Sequence, residues 1–559
     1  MQWPLPIALL MLAATSAQAE RRTYINPIDI DYRYNWEQAN QGISYRTGAD
    51  PAIVRHKDAY YLFQTLADGY WRSTDLVDWH FITPSRWPFI GIVAPAAISD
   101  GDRLILWPSM SFTRPGSILV STAPETGKLD FLVRRMPPLP GAVDKPADQM
   151  KPNEVPPGPW DPGVLKDDDA RWYLYWGSSN LFPVYGIEIE FQDRKLVYKG
   201  EATKLFNLDP DNHGWERFGQ DHCGCRPDGT PNKPFVEGAW VNKVGGKYYL
   251  QYGAPGTEHN AYANGTYVSD KPLGPFKYAD YNPIAYKPGG FVEGAGHGSS
   301  FQDEHGNWWN TGTPWVGHNW NFERRFNMFP AKFEADGQMW ASSRFGDFPH
   351  YMPTAKVDDP NSLFTGWMLL SYRKAATASS TKGEFSPDRA TDEDPRTFWV
   401  AAANKAGETL AIDLGAPKTV RAVQVNYADY QSGRFQDAPD IYTEFELQHS
   451  LDGQSWQPLA KPAGPRRDRP NAYVQLSQPV RTRFVRYVHG HVGAANLAIS
   501  DLRVFGNADG RAPAVPSRVA AVRHQDQRDA TIRWQRVPGA VGYNIRFGIR
   551  PDRLTMTYQ

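Results

Sequence analysis

The chain has 559 residues, too many for one hydrophobic core, so two to four domains are expected. Its 60 Lys and Arg balance 61 Asp and Glu, giving a formal net charge of −1. That balance excludes nucleic acid or an anionic membrane as the main partner, because both need a basic field. With 20 Trp, 28 Tyr, 48 Gly and 47 Pro, the composition suits many short strands and turns, and helical periodicity is scarce, so an all-β chain is expected.

In chain order, residues 1–19 read as a signal peptide. An apolar run from Leu5 to Ala14 precedes a small-x-small cleavage site at Ala17-Gln18-Ala19. The run is too short to span a bilayer, and no later stretch is long enough. A mature start near Glu20 and an extracytoplasmic location, periplasmic or secreted, are expected.

Residues 20–350 carry one unit five times. The units open Asp50-Pro51, Ala94-Pro95, Asp161-Pro162, Glu237-Gly238 and His297-Gly298. After each comes a short strand, a polar turn and an aromatic or aliphatic strand, such as Tyr60-Tyr61-Leu62-Phe63 or Trp172-Tyr173-Leu174-Tyr175. A supersecondary unit recurring at this spacing predicts a propeller or solenoid. In a five-bladed β-propeller the first strand of every blade lines the central channel. Asp50, Asp161, Glu237 and His297 should therefore meet at one level of that channel. Two insertions, 137–159 and 205–234, interrupt the repeat, and long loops of this kind tend to shape sites. The second holds the two cysteines, Cys223 and Cys225, beside Asp221 and His222. Free thiols or a local disulfide are favoured there over a metal site, which would need two more spaced ligands. Asp29, Asp31 and the run Asp167-Asp168-Asp169 fall off the register and are read as surface and turn residues.

A linker follows over 351–372. Alternating strands over 373–506, including Thr409-Leu410-Ala411-Ile412 and Phe484-Val485-Arg486-Tyr487, predict a β-sandwich. Residues 512–559 read as part of a further small β-domain.

Three carboxylates in a narrow channel repel one another, so at least one should stay protonated near neutral pH while a hydrogen-bonded one stays ionised. A protonated acid and an ionised base together can cleave a glycosidic bond. Inverting hydrolysis needs carboxyls about 6.5–9.5 Å apart, a span that residues on different blades can reach. Any one such Asp-Pro or Glu-Gly pair alone would be read as turn chemistry; three at one register position point to function. His297 could hold a water or a cation, or simply bond a neighbouring blade. A single His is a weak signal for calcium, which prefers oxygen. In Glu323-Arg324-Arg325, either arginine could keep the base ionised and bind sugar hydroxyls. Trp107, Trp160, Trp176, Trp240 and Trp315 are candidates for stacking on sugars, Trp107 and Trp240 foremost, although most Trp in such a fold pack blades together.

These residues resemble glycoside hydrolase family 43, five-bladed β-propellers that open with Asn-Pro and continue with Ala-Asp-Pro and Tyr-Tyr-Leu. Here those are Asn26-Pro27, Ala49-Asp50-Pro51 and Tyr60-Tyr61-Leu62. Ala94-Pro95, Asp161-Pro162, Glu237-Gly238 and Gly296-His297-Gly298-Ser299 match the later blades, and the segment between Asn26-Pro27 and Asp50 is longer than is usual. The resemblance implies Asp50 as general base, Asp161 as the residue that tunes and orients, and Glu237 as general acid, with inversion at the anomeric carbon. It implies an oligo- or polysaccharide substrate and an α-L-arabinofuranosidase or β-xylosidase active on plant cell walls. Galactan- or arabinan-active hydrolases and an inactive glycan-binding lectin are the alternatives. No cofactor is required, and calcium is an option at the propeller axis or in the sandwich. Residues 373–506 resemble the discoidin-like, factor 5/8 type C jelly roll related to carbohydrate-binding module family 32, on Asp394-Pro395-Arg396-Thr397-Phe398-Trp399 and Ile499-Ser500-Asp501-Leu502. The tail resembles part of a fibronectin type III domain.

Overall fold

Five antiparallel sheets follow one another along the chain, each built from consecutive strands. Their innermost strands are Ala52–His56, Ala96–Asp100, Gly163–Lys166, Glu237–Val244 and Ser300–Gln302. Each sheet has four strands, and the fourth adds a short one, Ala285–Tyr286. This is the five-bladed propeller expected from the repeat. The computed structural model describes residues 21–559 apart from 89–90, 110–115, 152, 219–222, 508–510, 512, 526–528 and 541. The signal peptide expected over 1–19, and Asp221 and His222, lie outside the described residues.

The second strand of a blade is covered on both faces by the neighbouring blades. Ala59–Phe63 and Trp172–Trp176 are accordingly apolar and buried at every position. A continuous apolar run, not an alternating one, is what a doubly covered strand requires. The peripheral strands His80–Ile82 and Lys277–Tyr278 are short and partly exposed. Trp71, Trp79, Trp107, Trp176 and Trp309 are fully buried in these cores.

Hydroxyls close the ring. The Ser299 hydroxyl of blade five accepts from the Ile53 N–H at 2.9 Å and donates to the Pro51 carbonyl at 3.1 Å in blade one. Thr311 donates to the same carbonyl at 3.0 Å. No α-helix occurs among the described residues.

The sandwich is built on two long strands, Thr409–Tyr427 and Asn471–Val492, which pair antiparallel and bury alternate residues. Leu410, Ile412, Val423, Leu447, Val485 and Tyr487 belong to its core. Met368–Leu369 pairs with Phe505 and Gly506, so the sandwich begins inside the stretch read as linker. The rest of that stretch is tied down by buried Leu363 and Trp367. The tail forms two hairpins, Ala520–Arg523 with Ala530–Arg533 and Ile545–Phe547 with Met556–Tyr558.

Three aspartates read as surface residues are not on the surface. Asp29 is ion-paired at 3.0 Å with both Arg467 and Arg469 of the sandwich. Asp31 is buried and accepts from the Trp71 indole at 2.6 Å. Asp167 is buried and pairs with Lys243 and Tyr248 of the next blade. Asp168 and Asp169 are exposed, as read.

Candidate active site

The common register has a backbone cause. Asp50, Ala94, Asp161 and His297 all take positive φ, of 55°, 36°, 46° and 44°. In blade four the left-handed step falls one residue later, on Gly238 at φ 68°. This step at the head of each inner strand turns the head side chain towards the axis. For a residue other than glycine it costs about 1–3 kcal/mol and needs external support.

The preceding blade supplies that support through a hydroxyl. The Asp50 N–H donates to Thr313 at 2.9 Å, the Ala94 N–H to Thr65 at 2.7 Å and the Asp161 N–H to Ser109 at 2.8 Å. These clamps escaped the sequence reading. Their signal was present, since Thr65, Ser109 and Thr313 each stand 15 or 16 positions after a head residue.

The four head side chains meet. The His297 Nδ1 lies 3.2 Å from the Asp50 carboxylate and 3.7 Å from that of Asp161. Donor atoms of Asp161, Glu237 and His297 lie within 4.8 Å of one another. Asp50 and Asp161 are each 7 % exposed and His297 is 8 % exposed. Glu237 is partly exposed and so stands nearest the mouth. Gly238 is needed for this closeness, because a Cβ there would come within 2.6 Å of the His297 ring.

Arg324 points into the cluster, with Nη1 3.7 Å from the Asp50 carboxylate and 3.5 Å from the Thr257 hydroxyl. Tyr262 donates to Glu237 Oε1, and the Ser178 hydroxyl is 3.4 Å from Oε2. The Thr65 hydroxyl donates to Asp50 at 2.5 Å. The cysteine-bearing insertion reaches this rim. Its Phe218 packs edge-on to His259 at 5.1 Å and lies against Gly256, next to Thr257. Cys223 and Cys225 are joined in a disulfide.

Three of the other predicted contacts are corrected by their placement. Arg325 turns away from the pocket and is ion-paired to Glu323 at 3.1 Å, 1 % exposed. Trp107 is buried between blades two and three and presents no face to a sugar. Trp240 packs on the cores of blades one to three and donates to the Ser300 carbonyl of blade five at 3.1 Å. It thus crosses the axis below the carboxylates, as a floor and not a stacking platform. Trp176 stacks on Tyr185 inside blade three, Trp160 immediately precedes Asp161, and Trp315 is covered by Arg396 of the sandwich at 4.6 Å.

The electrostatics separate the carboxyls. Burial pushes Asp50 up, but His297, Arg324 and the Thr65 hydroxyl outweigh it and hold its carboxyl below the ordinary value. Burial raises Glu237, against the opposing pull of His297 and Tyr262. Burial also raises Asp161, helped by the neighbouring charges of Glu237 and Asp50. Burial depresses His297, yet Asp50, Asp161 and Glu237 together drive it towards imidazolium. Asp161, Glu237 and His297 are close enough to surround a cation.

Comparison with known proteins agrees with this architecture. Residues 148–339 match the model for glycosyl hydrolases family 43, and residues 375–498 match the F5/8 type C domain. The chain carries a glycoside hydrolase family 43 propeller followed by an F5/8 type C, discoidin-like sandwich. It is similar to a β-xylosidase of Xylanibacter ruminicola, 29% identical over 134 residues, 21% of this chain and 39% of that one. It is also similar to a xylosidase/arabinosidase of Bacteroides ovatus, 27% identical over 134 residues, 21% of this chain and 38% of that one. The aligned region thus spans about two fifths of the length of these relatives. Among solved structures, a thermostable family-43 glycoside hydrolase is 20% identical with a TM-score of 0.43, covering 60% of this chain and all of that one.

Proposed function

We propose that this protein is a secreted glycosidase that hydrolyses O-glycosidic bonds with inversion, acting on α-L-arabinofuranosyl or β-xylosyl units of plant cell-wall polysaccharide. One observation carries the reading. Three inner strands deliver three carboxyls to one buried centre, where His297 and Arg324 favour the ionised form of Asp50 while burial favours the protonated form of Glu237.

In the reaction, Glu237 gives its proton to the glycosidic oxygen as the bond from that oxygen to the anomeric carbon breaks. A water attacks the same carbon from the opposite face and loses its proton to Asp50. Asp161 accepts from the Gly238 N–H at 3.4 Å, so it orients the backbone beside the acid, while burial and the charges of Glu237 and Asp50 raise its own carboxyl. The family match and the names of the two relatives support the substrate class.

The test is a panel of aryl α-L-arabinofuranosides, β-xylosides and galactosides incubated with the native protein. Release of pentose is expected. A protein silent on the whole panel that still binds glycans would leave a lectin in place of the enzyme.

The hydrolysis proposed here uses side chains alone, and the cation we propose lies in the sandwich. Asp501 is fully buried, and its Oδ2 has no hydrogen-bond partner among the described residues. Asp392 and Glu393 lie beside it. A buried carboxylate oxygen left unpartnered is costly, and a hard cation such as calcium resolves it. Asp392 and Asp501 would hold the ion. Chelation is then expected to lower the melting temperature by several degrees, with recovery on adding calcium. A melting curve indifferent to both treatments would remove the cation.

A further inference from the structure

The sandwich touches the propeller through a buried charge cluster centred on one of its own residues. Asp429 lies just beyond the strand Thr409–Tyr427, and its side chain is wholly buried. It accepts from Arg46 Nε at 2.5 Å, from Arg46 Nη2 at 3.0 Å and from the Tyr34 hydroxyl at 2.7 Å. It also stands 3.9 Å from Arg325 Nη2. Arg46 is four residues before Asp50, and Arg325 directly follows Arg324. The two arginines that flank the centre's base and its guanidinium therefore share one carboxylate of the other domain.

The link onward is short on both sides. Arg325 Nη1 donates to the Arg324 carbonyl at 3.1 Å, and Arg325 Nε donates to Asn471 of the sandwich at 3.2 Å. Between Arg46 and Asp50, the Gly48 backbone presses on the same segment. A Cβ at Gly48 would fall 2.4 Å from the Arg324 carbonyl oxygen and 2.7 Å from the Arg325 Cα. Arg46 further donates to the Tyr32 carbonyl at 2.7 Å and pairs with Asp468 of the sandwich. The segment leading to Asp50 and the segment bearing Arg324 are thus held face to face from outside the propeller.

We infer that the F5/8 type C domain is part of the catalytic centre, with Asp429 as the positioning residue that sets Arg324 against Asp50. The inference rests on the roles read above for Asp50 and Arg324. It differs from a picture in which the sandwich is a detachable glycan-binding module whose contacts with the propeller merely add stability.

A structural contact and a positioning contact have different signatures. Asp50 is faced by His297 and Arg324 from blade five, by Asp161 from blade three and by Glu237 and Tyr262 from blade four. If Arg324 loses its place, Asp50 keeps one cationic neighbour instead of two, and the acid limb of kcat/KM must move to higher pH.

The experiment compares full-length wild type with Asp429→Asn, Asn471→Ala and, as a control for stability alone, Leu447→Ala in the sandwich core. Asp429→Asn is expected to lower kcat about 10²-fold with KM nearly unchanged, as for a small misplacement of a catalytic group. Its acid limb should rise by about one pH unit. Asn471→Ala should move both quantities the same way by a smaller amount, and it decides the matter if Asp429→Asn does not fold. Leu447→Ala should lower the melting temperature and leave the pH profile in place. Kinetics and acid limb of Asn471→Ala and of any folded Asp429→Asn matching those of the control would overturn the inference while leaving the hydrolase reading intact. If the wild type hydrolyses nothing, a crystal structure of either folded variant still decides: Arg324 displaced from Asp50 supports the inference, and an unchanged 3.7 Å approach overturns it.

Discussion

Glu237→Gln is expected to lower kcat/KM roughly 10³-fold on oligosaccharides, and by no more than about tenfold on aryl glycosides with good leaving groups. The difference follows from what the side chain supplies. Burial raises its carboxyl and so favours the protonated form, and Tyr262 and Ser178 fix both of its oxygens. A sugar alkoxide needs that proton in order to leave, whereas a nitrophenolate does not. The amide has nearly the same shape, so packing around His297 and Gly238 should survive. The basic limb of the pH profile should go with it, because no acid remains to be deprotonated. Equal losses across leaving groups would assign Glu237 to another role.

Asp50→Asn is expected to lower kcat about 10⁴-fold on every substrate, good leaving groups included. The attacking water needs a base whatever departs from the other face. In the wild type the acid limb should lie below the range of an ordinary Asp. Burial alone would push the Asp50 carboxyl up, but His297, Arg324 and the Thr65 hydroxyl pull it down further than burial raises it. Activity is therefore present above that lowered value and is lost as pH falls through it. Acid titration of kcat/KM on one aryl glycoside checks the sign. An acid limb above the usual carboxylate range would contradict this reading of the arginine and the imidazolium.

The blade repeat was legible because fold and site share one cause. A strand that lines a channel and a strand sealed between blades differ in composition, and five copies of that difference leave a period in the sequence. Asp50, Asp161, Glu237 and His297 stood out for the same reason. The Thr65, Ser109 and Thr313 hydroxyls were hidden because Ser and Thr at strand ends are ordinary, and only the neighbouring blade makes them clamps. Arg324 and Arg325 could not be told apart in a string of letters. In extended chain, adjacent side chains point opposite ways, so one meets Asp50 and the other meets the sandwich. Asp29 looked solvent-facing because its partners, Arg467 and Arg469, come some 440 positions later in another domain. The aromatic candidates failed on which face they occupy. Trp107 turns into the blade core, and Trp240 closes the channel instead of greeting the substrate.

Asp50 and Glu237 are assigned to opposite faces of one anomeric carbon. Proton NMR of the sugar first released from the best aryl glycoside, recorded before mutarotation, tests this most directly. The anomer opposite to that of the substrate is expected. Release of the same anomer would require a covalent glycosyl intermediate on one of these carboxylates and would contradict the assignment of Asp50 as a base acting through water.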